Sequence, residues 1–267
     1  MAIGFLGAGN MAGAIIRGLC AHGWSGSEIF AYDPDEKKVA ALREACGIQA
    51  AGSPEELPAV TATLVVAVKP QVLPAALPPL REQLQKWKPL VLSIAAGTTL
   101  DTLSSFTGGN LPLCRVMPNL NATVGEAVSA YCVGPLVTAE HKALIERILQ
   151  AFGTALELPE HQFSIFSALG GCSPAFTLLY IDALAEAGVR GGLTKAQALS
   201  VATQAVYGTA KLLQETGEHP RVLIDRVCSP GGTTIEGLCA LQRSGFEAAV
   251  LEAAKQSCER DQRLQKT

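Results

Sequence analysis

The sequence has few aromatic residues, few charges and no block of basic residues. Of its 267 residues, 5% are aromatic and 17% are charged, and the formal net charge is −3. Proteins that bind nucleic acid through its phosphates usually carry a basic patch, so nucleic acid is not expected as a partner. With 48% hydrophobic residues, the chain is long enough to bury one large core or two modest ones.

The sequence also lacks a basic region followed by a long apolar core at its start, so no secretory signal is expected. Its apolar stretch at 174–184 is interrupted by Asp182 before it reaches the roughly 18 residues that a membrane span needs. We therefore expect a cytoplasmic protein that has no membrane partner.

Eight cysteines are present, but they form no CxxC pair and no Cys/His cluster with metal-ligand spacing. Most of them lie in apolar or helical patterns, where a cysteine behaves as a small hydrophobic residue. This pattern predicts reduced thiols and no metal site.

The first part of the chain alternates short apolar runs with helical patterns, which is typical of a parallel α/β sheet. We predict strands over 3–6, 28–32, 62–68, 90–95, 113–117 and 127–133. We predict helices over 10–22, 35–46, 71–86 and 138–152. The expected fold of 1–158 is therefore a Rossmann domain, with a doubly wound and mostly parallel sheet.

After about Pro159, strand-like runs are absent and Ala, Leu, Glu and Gln recur at helical spacing. We predict helices over 174–187, 194–216, 220–227, 234–244 and 246–264, hence an all-α domain over 159–267. The helix at 194–216 is apolar around much of its circumference and therefore needs more than one packing partner. This pattern predicts at least a homodimer built on the helical domain.

A dinucleotide fingerprint follows the first predicted strand. Gly7-Ala8-Gly9-Asn10-Met11-Ala12 fits the pattern GxGxxA at a strand-to-helix turn. Gly7 makes the tight turn, Gly9 lets a pyrophosphate approach the backbone, and Ala12 keeps the helix close to the strand. The pattern predicts a nicotinamide cofactor.

Asp33 ends the second predicted strand, where a carboxylate accepts hydrogen bonds from the ribose 2′-OH and repels a 2′-phosphate. We therefore expect NADPH or NADH as the cofactor, with Asp33 favouring NADH. Val68-Lys69-Pro70 and Ala95-Ala96-Gly97 end two central strands at the carboxyl edge of the sheet. Both segments are predicted to contact the cofactor, chiefly through backbone groups.

A glycine-rich loop opens a helix in the last third of the chain, with the sequence Cys228-Ser229-Pro230-Gly231-Gly232-Thr233-Thr234. Thr233 and Glu236 have the spacing of a capping box, which predicts the helix start. The unpaired N–H groups of such a start suit a carboxylate or a phosphate, and the Thr234 hydroxyl lies beside them. A plain connector between two helices has the same pattern.

Several motifs together resemble the pyrroline-5-carboxylate reductase family over nearly the whole chain. The segments that carry the resemblance are Gly4 to Met11, Ala67 to Gln71, Ser93 to Gly97, Arg115 to Asn119, Glu215 to Pro220 and Ser229 to Glu236. The resemblance implies a Rossmann domain, an all-helical dimerisation domain and intertwined dimers. It also implies reduction of the cyclic imine 1-pyrroline-5-carboxylate to L-proline by NAD(P)H, the last step of proline biosynthesis.

The resemblance further implies that the loop containing Ser229, Gly231, Gly232, Thr233 and Thr234 binds the substrate. The carboxylate would lie on backbone N–H groups around the last three, and the Thr234 hydroxyl would lie near the imine nitrogen as the catalytic group. The loop would meet the nicotinamide bound by a partner subunit. Two segments depart from the family pattern, namely Asn119-Leu120-Asn121 and the stretch from Gly170 to Phe176, so an altered substrate scope or catalytic efficiency is expected.

Two alternatives remain on the sequence alone. A β-hydroxyacid dehydrogenase shares the fingerprint and the two-domain plan, but its chemistry requires a lysine in the stretch from Gly170 to Phe176, which contains none. A cofactor-sensing paralogue without turnover would keep the fold. For Glu160, at the start of the helical region, a contact with the substrate is one alternative, and a surface carboxylate at a helix start is the preferred interpretation.

Overall fold

The structure is a computed structural model that describes residues 2–264. Its central feature is a single eight-stranded sheet with the order β3-β2-β1-β4-β5-β6-β7-β8. The strands are β1 (Ile3–Leu6), β2 (Ile29–Tyr32), β3 (Gln49–Ala50), β4 (Thr63–Val66), β5 (Leu90–Ser93), β6 (Leu113–Met117), β7 (Ala127–Val133) and β8 (Gly153–Glu157). Strands β1 to β6 are parallel, and β7 reverses the direction by pairing antiparallel with β6.

Helices cover both faces of this sheet. They are α1 (Asn10–Ala21), α2 (Glu36–Cys46), α3 (Leu57–Val60), α4 (Leu73–Ala76), α5 (Arg81–Trp87), α6 (Leu100–Thr107), α7 (Ala139–Gln150) and α8 (Phe163–Phe166). One core joins β1 and β2 to α1 and α7 through residues such as Phe5, Ile16 and Phe152. A second core fills the other face through residues such as Leu64, Leu84 and Val91. The prediction of a doubly wound, mostly parallel sheet is confirmed.

The strand predictions missed both edges of the sheet. β3 has only two residues, and β8 is half exposed, so neither shows the continuous apolar run of a buried strand. The predicted helix over 71–86 is instead a chain of short helical turns that includes α4 and α5. Pro78 and Pro79 separate α4 from α5 because proline cannot donate the backbone hydrogen bond of a helix interior.

The described residues from 173 onward form five helices: α9 (Ser173–Arg190), α10 (Lys195–Thr216), α11 (Pro220–Val227), α12 (Thr233–Arg243) and α13 (Phe246–Leu264). The Thr194–Gln197 capping box that starts α10 is present. We predicted that this helix would end before Gly188. Instead, α9 continues to Arg190. A Cβ on Gly188 would lie 2.7 Å from the Ala198 Cβ, so this glycine allows α9 and α10 to pack closely.

By contacts, the chain divides into two compact units. The sheet unit comprises the described residues of 1–171 and 257–267, and the helical unit comprises 172–256. This division lies 13 residues beyond the boundary that we placed after residue 158, where β8 has just ended. The intervening segment belongs to the sheet unit because Glu160 bonds to Arg115 and the Gly170 carbonyl accepts from Asn119.

Burial differs sharply between the two units. Within the described residues of the helical unit, the buried side chains are Ile181, Ala185, Ala198 and Ala202. Large apolar side chains on the same helices remain exposed, among them Leu178, Leu179, Val201, Tyr207, Val227 and Leu251.

One helical run, Glu160–Arg190, is long and apolar enough to resemble a membrane span, with a mean hydropathy of 1.4 over 18 residues. Our expectation that no stretch of the chain would reach this apolarity was wrong for this run. It is weak support for a membrane because length and composition alone also fit helices whose apolar faces pack against protein.

Candidate active site

The turn after β1 has the geometry that the dinucleotide fingerprint requires. Gly7 has φ = +104°, and a Cβ there would lie 2.8 Å from the Ala67 carbonyl oxygen. Its N–H donates to the Tyr32 carbonyl at 2.7 Å, which ties the turn to β2. A side chain at position 7 would therefore force β1 and β4 apart, so the glycine is required here.

Gly9 is the N-cap residue of α1, and no side chain caps this helix start. A Cβ on Gly9 would meet no atom within 4 Å, so the space in front of the helix is open. Ala8 and Ala12 are buried, whereas Asn10 is exposed and Met11 is half-buried. Open backbone N–H groups at a helix start fit the pyrophosphate of a dinucleotide.

Asp33 is held in place by backbone groups. Its Oδ2 accepts from the Ala8 N–H at 2.9 Å, and its Oδ1 accepts from the Asp35 N–H at 2.9 Å and from Lys38 Nζ at 3.3 Å. Burial raises the pKa of the Asp33 carboxyl, but these donors outweigh burial and lower that pKa below its ordinary value. Asp33 therefore stays charged and fixes the fingerprint loop to the end of β2.

A cavity of about 270 Å³ lies at the carboxyl ends of β1, β2 and β4, and its lining includes Gly7, Tyr32, Pro34 and Val68. Lys69 and Pro70 follow shortly after β4, beyond Ala67 and Val68, and are exposed. The fingerprint loop, Asp33 and this segment thus converge on the carboxyl edge where ligands of open α/β sheets bind. The residues present fit a nicotinamide dinucleotide.

The loop after β5 also reaches this edge. Ala95 is buried and its N–H donates to Ser93 Oγ at 3.3 Å, whereas Ala96 is exposed. Gly97 has φ = +72° and open space around its Cβ position. The loop therefore presents backbone rather than bulky side chains.

Sequence reasoning missed an ion pair just behind this loop. Arg115, in the middle of β6, has a side chain that is only 5% exposed, and its NH1 donates to Glu160 Oε1 at 3.0 Å. The same oxygen accepts from the Leu100 N–H at 2.8 Å. The Glu160 carboxylate also affects a neighbouring thiol, because burial and this negative charge together raise the pKa of Cys132 to about 12. Glu160 is thus a partly buried partner of a buried cation, and its interpretation as a surface carboxylate was wrong.

A second buried polar side chain lies two residues after the end of β6. Asn119 is 4% exposed, accepts from the Val128 N–H at 3.3 Å and donates from Nδ2 to the Gly170 carbonyl at 2.9 Å. Residues Ser167–Cys172 form a π-helical turn, a conformation that is often found at functional sites. The bond from Asn119 Nδ2 to the Gly170 carbonyl therefore joins the two segments that depart from the family pattern.

The glycine-rich loop of the helical unit starts α12, as predicted, but not by a capping box. Gly232 is the N-cap, and no side chain caps the helix. A Cβ on Gly232 would collide with Ser229 Oγ, and its N–H donates to the Ser229 carbonyl at 3.0 Å. Thr233 is therefore the first helical residue, and the predicted Thr233–Glu236 capping box was wrong.

This loop leaves its helix start exposed. Gly231 has φ = +66°, which suits a glycine, and Ser229, Thr233 and Thr234 are exposed. The Gly232 N–H is used within the loop, whereas the N–H groups of Thr233 and Thr234 have no side-chain cap and are open to an anion. The Thr234 hydroxyl is in the first turn of the same helix.

Comparison with known proteins covers both parts of the chain. Residues 160–264 match a family described as pyrroline-5-carboxylate reductase dimerisation, and residues 2–97 match one described as NADP oxidoreductase, coenzyme F420-dependent. A pyrroline-5-carboxylate reductase from Escherichia coli is 42% identical over 266 residues, which is 99% of this chain and 98% of that protein. The chain belongs to the pyrroline-5-carboxylate reductase family. An Arabidopsis thaliana member is 38% identical over 98% of this chain and 95% of its own length.

Solved structures agree with this family assignment. A pyrroline-5-carboxylate reductase from Coxiella burnetii has a TM-score of 0.95 at 30% identity and covers 99% of this chain and 98% of its own. A Plasmodium falciparum pyrroline carboxylate reductase with NADP bound has a TM-score of 0.88 at 28% identity, over 99% and 98% of the two chains. The predicted family, fold class and nicotinamide-dependent oxidoreductase class are thereby confirmed. The β-hydroxyacid dehydrogenase alternative is not supported.

Proposed function

We propose that this chain reduces 1-pyrroline-5-carboxylate to L-proline, the last step of proline biosynthesis. The observation that carries the proposal is the start of α12, where Gly232 leaves the Thr233 and Thr234 N–H groups without a capping side chain. A carboxylate suits this position because it meets backbone donors and the positive end of the helix dipole. The names of the relatives at 38% to 42% identity support the same substrate.

The chain's own residues orient and polarise the substrate. Ser229, Gly231 and Gly232 shape the loop, and the Thr233 and Thr234 N–H groups hold the carboxylate. The Thr234 hydroxyl hydrogen-bonds the imine nitrogen, so its role is mainly to position the ring and assist proton delivery. A protonated imine is already electrophilic, so orientation and electrostatic clamping supply much of the barrier reduction. The nicotinamide, when bound, supplies the hydride.

Cofactor contacts are assigned to three loops at the carboxyl edge of the sheet. The first is Gly7-Ala8-Gly9-Asn10-Met11, the second is Val68-Lys69-Pro70 and the third is Ala95-Ala96-Gly97. Asp33 favours NADH over NADPH because its fixed negative charge repels a 2′-phosphate. Lys38 does not offset this effect, since it already pairs with Asp33 at 3.3 Å and with Asp35 at 3.7 Å.

The assembly is proposed to be a homodimer or a higher oligomer built through the C-terminal helices. The helical unit exposes a cavity of about 450 Å³ lined by Phe176, Leu179, Tyr180, Leu184 and Phe246, among others. A second copy that covers this face would bury the apolar side chains that one chain leaves in water. The same packing accounts for the apolar run Glu160–Arg190 without a membrane, in agreement with the expected cytoplasmic location.

The initial rate of NADH and of NADPH oxidation by purified protein, with and without 1-pyrroline-5-carboxylate, tests the proposal. Imine-dependent oxidation with proline as product is the expected result, with NADH the faster cofactor. Dinucleotide binding without imine-dependent turnover would contradict the reductase and favour the sensing alternative. Faster turnover of the six-membered ring homologue would show an altered substrate scope, as expected from the two segments that depart from the family pattern.

A further inference from the structure

The two ends of the loop Ala95-Ala96-Gly97 are held by different kinds of hydrogen bond. Upstream, the Ile94 N–H donates to the Val66 carbonyl at 3.0 Å, which continues the pairing of β5 with β4. The loop tip is open, with Ala96 exposed and Gly97 at positive φ. Downstream, the chain enters α6 at Leu100, only three residues after Gly97.

The downstream anchor is a side chain that comes from far along the sequence. Glu160 Oε1 accepts the Leu100 N–H at 2.8 Å, across 60 residues of sequence. Leu100 is the first helical residue of α6, so this bond satisfies one of the N–H groups that a helix start leaves without an intrahelical partner. Together with the N-cap residue Thr99, whose side chain accepts the Thr102 N–H, Glu160 holds the start of α6 and, with it, the end of the loop.

Glu160 is itself held by a rigid part of the sheet. Arg115 NH1 donates to the same Oε1 at 3.0 Å from the middle of β6, and its guanidinium lies over the Phe163 ring at 4.4 Å. Phe163 is 1% exposed, so the cation is enclosed on that side. A buried arginine with a fixed carboxylate partner has little freedom, since the loss of that partner leaves its charge unpaired.

We infer that Arg115 and Glu160 are positioning residues for the cofactor: together they hold the loop Ala95-Ala96-Gly97 in the conformation that binds the nicotinamide dinucleotide. This inference rests on the proposed cofactor role of that loop. It assigns to the Arg115–Glu160 pair an effect on dinucleotide affinity, with little effect on the binding of the imine.

A pair of substitutions at Leu100 isolates the hydrogen bond from the loss of the side chain. Leu100→Pro deletes the N–H that Glu160 accepts, and proline is tolerated at the first position of a helix. The preceding residue, Thr99, has φ = −77° and ψ = 163°, which is the extended conformation that a following proline requires. Leu100→Ala is the matched control, because it removes the same side chain and keeps the N–H.

The dissociation constants of NADH and NADPH are measured by calorimetric titration of the full chain without imine. We expect Leu100→Pro to weaken dinucleotide binding about tenfold relative to Leu100→Ala, the scale of one hydrogen bond to a charged group. Glu160→Ala should weaken it at least as much, and Glu160→Gln should recover most of the loss because its amide oxygen still accepts the N–H. The KM for the imine should stay within about twofold of the wild-type value in all folded variants.

Glu157→Gln provides the control for charge. Glu157 ends β8 and pairs with the exposed Lys142 at 2.7 Å, so its loss should leave dinucleotide binding unchanged. Equal affinities in Leu100→Pro and Leu100→Ala would overturn the inference, as would parallel changes in dinucleotide affinity and imine KM. Failure of the wild-type protein to bind either dinucleotide would instead overturn the proposed function, and the inference with it.

Discussion

The sheet unit and the helical unit use similar apolar residues but bury them to very different extents. In the sheet unit, helices cover both faces and residues such as Phe5, Ile16 and Leu64 are fully enclosed. In the helical unit, a single chain buries little more than the contact between α9 and α10. A region of 85 residues with so small a core cannot offset the entropy of ordering its chain. We therefore expect the helical unit to be stable only in an assembly.

The largest effect is expected when a charge is placed on the exposed apolar face of the helical unit, which tests whether an assembly buries that face. Leu179 is 72% exposed in the single chain and lines the apolar cavity there. If a second copy covers it, Leu179→Glu buries an unpaired carboxylate at a cost of several kcal/mol. We expect a monomer by light scattering and a loss of imine reduction of about 100-fold or more.

Leu136→Glu is the matched control, because Leu136 is 47% exposed in the sheet unit. It should leave both the assembly and the rate unchanged. A fully active dimer of Leu179→Glu would show that this face is free in the assembly.

The two kinds of core also differ in how stability depends on protein concentration. Ile16 is 0% exposed, so Ile16→Ala should lower the free energy of unfolding by about 2–5 kcal/mol. Leu178, in the helical unit, is 61% exposed in one chain, so Leu178→Ala should cost stability only where the oligomer forms. Urea unfolding at low and high protein concentration measures both; a Leu178→Ala effect that is independent of concentration would contradict an intermolecular core.

A smaller effect separates the chemical roles of the two units. Thr234→Ala should lower kcat/KM for the imine by at least about tenfold, the scale of one useful hydrogen bond, while the dissociation constant of NADH is unchanged. Thr209→Ala is the control, since the Thr209 hydroxyl bonds only to the Ala205 carbonyl of its own helix among the contacts described. An unchanged kcat/KM in Thr234→Ala would remove Thr234 from the mechanism.

The smallest expected effects concern Asp33. Asp33→Asn should shift the ratio of kcat/KM values toward NADPH by about tenfold, since it removes a charge of the same sign as the 2′-phosphate. Glu82→Gln, on α5, is the control for net charge. An unchanged cofactor ratio would contradict the proposed NADH preference.

The lowered pKa of Asp33 also predicts a pH dependence of stability. A depressed folded-state pKa contributes stability that is present above the ordinary value of 3.8 and is lost as pH falls through the folded pKa. The wild type should therefore be more stable than Asp33→Asn at neutral pH, by on the order of 1 kcal/mol or less. Thermal unfolding of both proteins between pH 3 and 7 should show this difference shrinking toward acid; a constant difference would contradict the assignment.

Local patterns predicted most of the sheet and its cofactor edge. The bounds of β1, β6, β7 and α11 match the predictions because each run ends at a glycine or proline turn signal, and α13 begins at Phe246 as predicted. The fingerprint glycines also follow from local geometry, since the tight turn at Gly7 depends on its immediate neighbours.

Contacts between distant residues could not be predicted in this way. Arg115 and Glu160 are 45 residues apart, and no periodicity joins them. One signal was present, namely a charged residue inside an otherwise apolar strand, which must find a partner if that strand is buried. The start of α12 was located correctly, but its cap was misassigned because Ser229 and Gly232 pack together in a way that spacing does not reveal.

Three other helices have a threonine side-chain cap of a kind that α12 lacks. Thr99, Thr138 and Thr194 each cap their own helix by accepting a backbone N–H. Such a cap typically stabilises a helix by about 1 kcal/mol relative to alanine, whereas glycine at the N-cap gives up only a few tenths of a kcal/mol and leaves the N–H groups open, as Gly232 does in α12. A substrate carboxylate seated there would act as the missing capping residue. Binding would then complete the first turn of α12, so that the ligand serves as a removable part of the fold.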